Sequence, residues 1–206
     1  DFSKFKKHPK WIMGFSDVTV LHSQLNVERI ASLHSIMPFT VPKASEEVKE
    51  TLRKALFGED IAYTIPSKSY DKKGKASGEL VGGNISILYS LLGSKSSINT
   101  KDKILFIEDL DEYLYHIDRM MFNLKRNGYF EKVKGIIVGS MSDMHDNEIP
   151  FGQNEVQIIT EIAKENNIPI AFEFPAGHQK DNRTLILGKK VDFEVNENEI
   201  ILRFKD

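Results

Sequence analysis

Cysteine is absent from the 206-residue sequence. This excludes disulfide bridges, a thiolate nucleophile and a cysteine-ligated metal, and it fits a reducing compartment. Neither sign of charge dominates, because 28 Lys and Arg stand against 30 Asp and Glu for a formal net charge of −2. The chain therefore has neither the global basic character of a nucleic-acid binder nor an acidic tail for a basic partner. Long apolar runs are also missing. None approaches the roughly 20 residues needed to span a bilayer, so no membrane partner is expected. No internal repeat or low-complexity segment is present. The chain opens on Asp1 rather than Met, and residues 1–10 read like the middle of a protein. We expect a longer protein whose N-terminal segment precedes this chain.

What is present is an alternation of helix-like and strand-like segments. Trp11–Phe15 reads as a strand and residues 18–26 as a helix. Ser45–Phe57 has the marks of a capped helix: Ser45 at its start, Glu46 and Glu47 in its first turn, and Gly58 after its last apolar residue. Residues 61–66 alternate like a strand. The polar stretch 67–75 has no apolar periodicity and is expected to be a linker or hairpin tip. Beyond it, Ala76–Val81, Ile104–Ile107, Val133–Val138 and Ile168–Phe174 read as strands. Helices are expected from Gly82 to Leu92, over Tyr113–Arg126 and over Asn154–Glu165. This alternation predicts an α/β fold with a mainly parallel sheet. Thr184–Leu187, Asp192–Val195 and Ile200–Phe204 read as a small antiparallel region.

Active residues in such sheets lie where strands end and loops begin. Ser16 holds that position after Trp11-Ile12-Met13-Gly14-Phe15, where a turn presents its hydroxyl near the N–H groups of a helix start. The usual elbow reads G-x-S-x-G, and here Val18 replaces the second glycine. Ser16 is equally a good helix cap. Glu108 follows Ile104–Ile107, and His178 follows the next apolar strand through Pro175-Ala176-Gly177. The order Ser, acid, His is one that serine hydrolases use on α/β scaffolds. His178 would take the Ser16 proton, Glu108 would fix the imidazole tautomer, and the Asp17 N–H would serve the oxyanion.

The other candidates read more blandly. Asp143, His145, Asp146 and Glu148 have metal-ligand chemistry without ligand spacing, and are read as a solvated loop. Gly82, Gly83 and Asn84 lack a dinucleotide fingerprint. The two glycines suit a close approach of the backbone, either to the sheet or to bound substrate. His34 is read as lying in an irregular stretch, and His22 is expected to face away from Ser16. Arg119 and Arg183 have the charge to bind a terminal carboxylate, without a pattern that selects either.

Six segments occur here in the order found in a known family: Gly14-Phe15-Ser16-Asp17-Val18-Thr19, Gly82-Gly83-Asn84, Ile107-Glu108-Asp109, the helix with Arg119, Gly139-Ser140, and Gly177-His178. Taken together, the chain resembles the LD-carboxypeptidases, serine peptidase family S66. That family includes muramoyl-tetrapeptide carboxypeptidases and microcin C immunity peptidases.

The resemblance implies Ser16 as nucleophile, Glu108 as acid and His178 as base, with Asp17, Gly82, Gly83 and Asn84 near the oxyanion and substrate. It implies the C-terminal part of a nucleophile-bearing α/β domain in residues 1–66, a linker at 67–75, and a swivelling β/α domain in 76–206. A second oxyanion donor would come from residues ahead of Asp1. No metal or organic cofactor is expected. The substrate implied is a murein tetrapeptide losing its C-terminal D-Ala, handled in the cytoplasm by a homodimer. The alternatives are an immunity-type peptidase cleaving aminoacyl-nucleotide amides, and a non-catalytic binding protein on the same scaffold.

Overall fold

The computed structural model describes residues 2–205; Asp1 and Asp206, the outer ends of the two expected parts, lie outside the described residues. The strands are β1 (Met13–Gly14), β2 (Ser32–His34), β3 (Ala62–Pro66), β4 (Gly74–Asn84), β5 (Ile104–Leu110), β6 (Gly135–Ser142), β7 (Ile170–Ala171), β8 (Leu185–Leu187), β9 (Lys190–Val195) and β10 (Glu199–Phe204). The helices are α1 (Ser3–Lys7), α2 (Thr19–Val27), α3 (Glu46–Phe57), α4 (Ile85–Ser90), α5 (Leu114–Arg126) and α6 (Glu155–Ile162).

A seven-stranded sheet runs in the order β3-β10-β9-β4-β5-β6-β7. Its β4 to β7 portion is parallel, and β3, β10 and β9 join antiparallel beside β4. The fold is thus mixed α/β with a parallel centre. Side chains alternate across this sheet as the pleat requires. Leu105 and Ile107 of β5 face α4, α5 and α6, while Ile104 and Phe106 face the opposite core. That second core also holds α3 and the small sheet β1-β2-β8. On α5, Ile117, Met120, Met121 and Leu124 form one buried stripe at helical spacing. Burying a side chain of this size stabilises by about 1.5–3 kcal/mol.

The α3 ends follow their expected chemistry. Ser45 Oγ accepts from the Val48 N–H, and Gly58 closes the helix in the left-handed conformation. Other boundaries differ. The strand expected over Trp11–Phe15 is only Met13–Gly14, and Ile168–Phe174 yields only Ile170–Ala171. The helix expected to open at Gly82 begins at Ile85, because Gly82, Gly83 and Asn84 complete β4. The segment at 185–187 does not join β9 and β10; it pairs antiparallel with β2. Residues 67–75 also carry more structure than a free connector. Lys72 exchanges backbone hydrogen bonds with Ile170, and Asp71 accepts from the Phe172 N–H.

Candidate active site

Phe15 is extended, and Ser16 opens a 3-10 turn, Ser16–Val18, with φ +60°. A non-glycine residue in the left-handed region costs on the order of 1–2 kcal/mol, and it persists where its surroundings over-determine it. Here the strand before it is pinned. The Gly14 carbonyl accepts from His22 Nε2 at 3.0 Å and from the Ser35 N–H at 3.0 Å. A carbonyl only accepts, so Nε2 carries the proton, and His22 Nδ1 accepts from Ser32 Oγ at 2.8 Å. Burial keeps His22 below its ordinary pKa, which suits this neutral role.

A Cβ on Gly14 would stand 2.7 Å from Val18 Cγ2, so the glycine makes room for the valine. Among the described residues the Ser16 hydroxyl makes no hydrogen bond. The N–H of Asp17 lies in the first turn of a helix, where backbone donors lack an intrahelical partner.

Glu108 and His178 form the opposing wall. Glu108 lies near the C-terminal end of β5, in register with Asn84 of β4, and its side chain is completely buried. Its Oε2 accepts from His178 Nδ1 at 2.6 Å and from the His178 backbone N–H at 3.3 Å. Gly177 permits this approach, since a Cβ there would stand 2.8 Å from Glu108 Oε2. Two further bonds fix the loop: Ser142 Oγ donates to the His178 carbonyl at 2.6 Å, and Asn182 Oδ1 accepts from the Gly177 N–H at 2.9 Å. Burial by itself would lower the His178 pKa. The hydrogen bond and charge of Glu108, with the charges of Asp109 and Asp17, outweigh it and raise the value above the ordinary 6.5.

The two walls meet through Phe15, whose ring packs edge-on against His178 with centroids 4.8 Å apart. Beside them opens a cleft of about 410 Å³ walled by Phe15, Ile36, Ala44 and His178, with Lys43 and Lys180 among its lining residues.

Not every sequence candidate stands at this cleft. A Cβ on Gly83 would strike Thr19, so that glycine admits α2 against β4. Asn84 has both ends of its amide committed. Oδ1 accepts from the Ile87 N–H and Ser86 Oγ as the α4 cap, and Nδ2 donates to Asp109 at 2.9 Å. Burial pushes Asp109 up to about 6, against the N–H bonds from Leu110 and Ser86 and the Asn84 amide that it accepts. Arg119 lies over the Tyr115 ring, and Arg183 is paired with Asp181 at 2.9 and 3.0 Å. His145 bonds Asp111 at 2.5 Å. Among the described residues no group of three or more metal-ligating side chains converges.

Three features were not foreseen. His22 supports the elbow through its bond to the Gly14 carbonyl. His34 lies in β2 rather than an irregular stretch, fully buried, its ring 4.7 Å from Phe106 and both nitrogens unbonded. Burial holds it neutral, well below its ordinary pKa. Lys43 and Lys180 carried no local signal: Lys43 is a single lysine between Pro42 and Ala44, and Lys180 is one polar residue among several.

Comparison with known proteins converges on one family. Residues 77–193 match the LD-carboxypeptidase C-terminal domain, and residues 1–35 match the LD-carboxypeptidase N-terminal domain. The chain is 32% identical to a probable murein peptide carboxypeptidase of Bacillus subtilis, over 98% of this chain and 65% of that relative. It is 25% identical to a murein tetrapeptide carboxypeptidase of Pseudomonas aeruginosa, over 91% of this chain and 64% of that one. This chain therefore spans just under two thirds of the length of these relatives. In structure it is similar to the muramoyltetrapeptide carboxypeptidase from Oxalobacter formigenes, with a TM-score of 0.91 and 25% identity over 100% of this chain and 72% of that chain. The fold is shared as well by the microcin C7 self-immunity protein MccF in complex with glutamyl sulfamoyl guanosine, with a TM-score of 0.84 and 21% identity over 100% and 70% of the two chains. The chain belongs to the LD-carboxypeptidase family.

Proposed function

We propose that this chain carries the nucleophile, base and acid of a serine-type LD-carboxypeptidase, a hydrolase that removes the C-terminal D-Ala of a murein tetrapeptide. One observation carries the reading most. The buried Glu108–His178 pair, at 2.6 Å, faces a cleft that it shares with Phe15, the residue before the strained Ser16 turn.

In this reading His178 Nε2 accepts the Ser16 proton as Ser16 Oγ attacks the amide carbonyl between the L-centre and the D-residue. Glu108 holds Nδ1–H and stabilises the imidazolium. The Asp17 N–H donates to the oxyanion. The imidazolium then protonates the leaving amine of D-Ala. Water, activated by the same His178, hydrolyses the acyl-enzyme. Gly82, Gly83 and Asn84 serve the site from behind, by setting the register of Glu108 and the start of α4.

The two-part organisation at 1–66 and 76–206, a homodimer, and a cytoplasmic role in murein recycling belong to the same reading. The family resemblance supports them, and the lack of cysteine fits the cytoplasm. Among the described residues no helix is long and apolar enough to cross a membrane.

The test is D-Ala release from a diaminopimelate- or L-Lys-containing tetrapeptide by the full-length protein. Release is the expected result. Cleavage of an aminoacyl-nucleotide amide in its place would move the assignment to an immunity-type peptidase. Peptide binding without cleavage of either would make the protein a binding module.

The same reading sets a pH dependence. The base must be neutral to act, and Glu108 raises the His178 pKa, so kcat/KM rises with pH through a midpoint above 6.5. Glu108→Gln removes the anion and lets an amide N–H confront Nδ1. That variant is expected to lose about 10³- to 10⁴-fold in kcat and to move the acid limb to lower pH. An unmoved limb would remove Glu108 from the role of acid.

A further inference from the structure

The cleft beside His178 has a one-sided charge. Its lining residues include two cations, Lys43 and Lys180, and no carboxylate. Neither lysine belongs to an ion pair among the described residues, and the Lys43 ammonium rests 6.0 Å over the Phe39 ring. The nearby Arg183 is already neutralised by Asp181. Lys180 stands two residues after His178 on the same loop, and Lys43 lines the cleft from the 3-10 turn Val41–Lys43. A pocket with unpaired charge of one sign and an apolar floor of Phe15, Ile36 and Ala44 selects a small anionic group on a short aliphatic body.

Resting on the carboxypeptidase reading, we propose that Lys43 and Lys180 form the subsite that takes the α-carboxylate of the departing D-residue, with Phe15, Ile36 and Ala44 receiving its methyl side chain. The geometry follows from peptide dimensions. The last residue begins one Cα step, about 3.8 Å, beyond the residue whose carbonyl is attacked. Its carboxylate therefore lies within reach of cations flanking the catalytic imidazole. A lysine ammonium on a flexible stem meets a carboxylate as a point charge. The pair would thus limit the enzyme to the terminal amide bond, because an internal residue has no free carboxylate to offer. Arg119, stacked on Tyr115, and Arg183, tied to Asp181, are released from this role.

The experiment compares a tetrapeptide ending in free D-Ala with the same peptide ending in D-Ala amide. Full-length wild type, Lys43→Met, Lys180→Met and the double variant are each assayed. Both lysines are exposed, so the substitutions leave folding nearly unchanged. Wild type is expected to prefer the free acid. The double variant loses ~10- to 100-fold in kcat/KM on the free acid, the usual worth of charged hydrogen bonds, and almost nothing on the amide, so the preference collapses. Lys43→Arg with Lys180→Arg restores most of it.

Two results overturn the subsite alone: a wild type indifferent to amidation, or a preference that survives in the double variant. A wild type that cleaves neither peptide overturns the carboxypeptidase reading, and the subsite with it.

Discussion

Ser16→Ala will leave the full-length protein folded and stop D-Ala release, with kcat falling by about 10⁶-fold. The size follows from the role. A nucleophilic oxygen that forms the acyl-enzyme has no substitute, and the partners that activate it are useless without it. The fold should be indifferent, because the Ser16 hydroxyl makes no hydrogen bond among the described residues and its side chain is only partly buried.

The backbone supplies a second, opposite readout. At φ +60° any residue with a Cβ carries the left-handed penalty, and glycine does not. Ser16→Gly should therefore be as inactive as Ser16→Ala while unfolding at higher urea, by about 1 kcal/mol. That pairing separates strain kept for function from strain kept for packing. Steady-state D-Ala release and urea midpoints on the three proteins decide it. Ser16→Ala retaining a few per cent of wild-type turnover would end the nucleophile assignment.

The turn at Ser16 was legible because its signals are local. An apolar run, a glycine and a serine before a helix are neighbours in sequence, as are the Ser45 and Gly58 caps of α3. Glu108 was legible from its place after Ile104–Ile107, but the strand it belongs to was read too short. The apolar pattern stops where the site begins, yet β5 continues through buried Glu108 and Asp109 to Leu110, and β6 through Ser140 to Ser142. Hydropathy therefore undercounts strands at the ends where polar residues are held inside by hydrogen bonds.

The pairing of β8 with β2, more than 150 residues earlier in the chain, left no mark on the local pattern. The support of Gly14 by His22 was hidden for a related reason. It depends on Ser32 arriving from the next strand to fix the tautomer. The cations of the cleft were invisible because charge, unlike burial, has no period along the chain.

The largest stability effect is expected at Gly82. Gly82 pairs with Phe106 across the parallel β4–β5 ladder at φ +134°. A Cβ there would fall on the Phe106 carbonyl oxygen and crowd the Phe106 nitrogen as well. Neither atom can move without parting the two central strands, since both belong to backbone. Gly82→Ala should therefore cost more than about 4 kcal/mol, the range reserved for backbone clashes and core disruption, and yield little soluble protein.

Gly93→Ala is the fitting comparison. Gly93 also has positive φ, at +75°, but nothing lies within 4 Å of its would-be Cβ. Only the conformational penalty of about 1–2 kcal/mol applies there. Urea unfolding of the two variants measures the difference, and equal midpoints would refute the close-approach explanation. The consequence reaches the site because the same ladder continues two residues on to Asn84 opposite Glu108. Spreading β4 from β5 at Gly82 moves the carboxylate that His178 Nδ1 must meet at 2.6 Å. Any Gly82→Ala protein that does fold should then show the signature of a mispositioned acid, a lowered kcat with an acid limb displaced toward that of Glu108→Gln, and little change in KM.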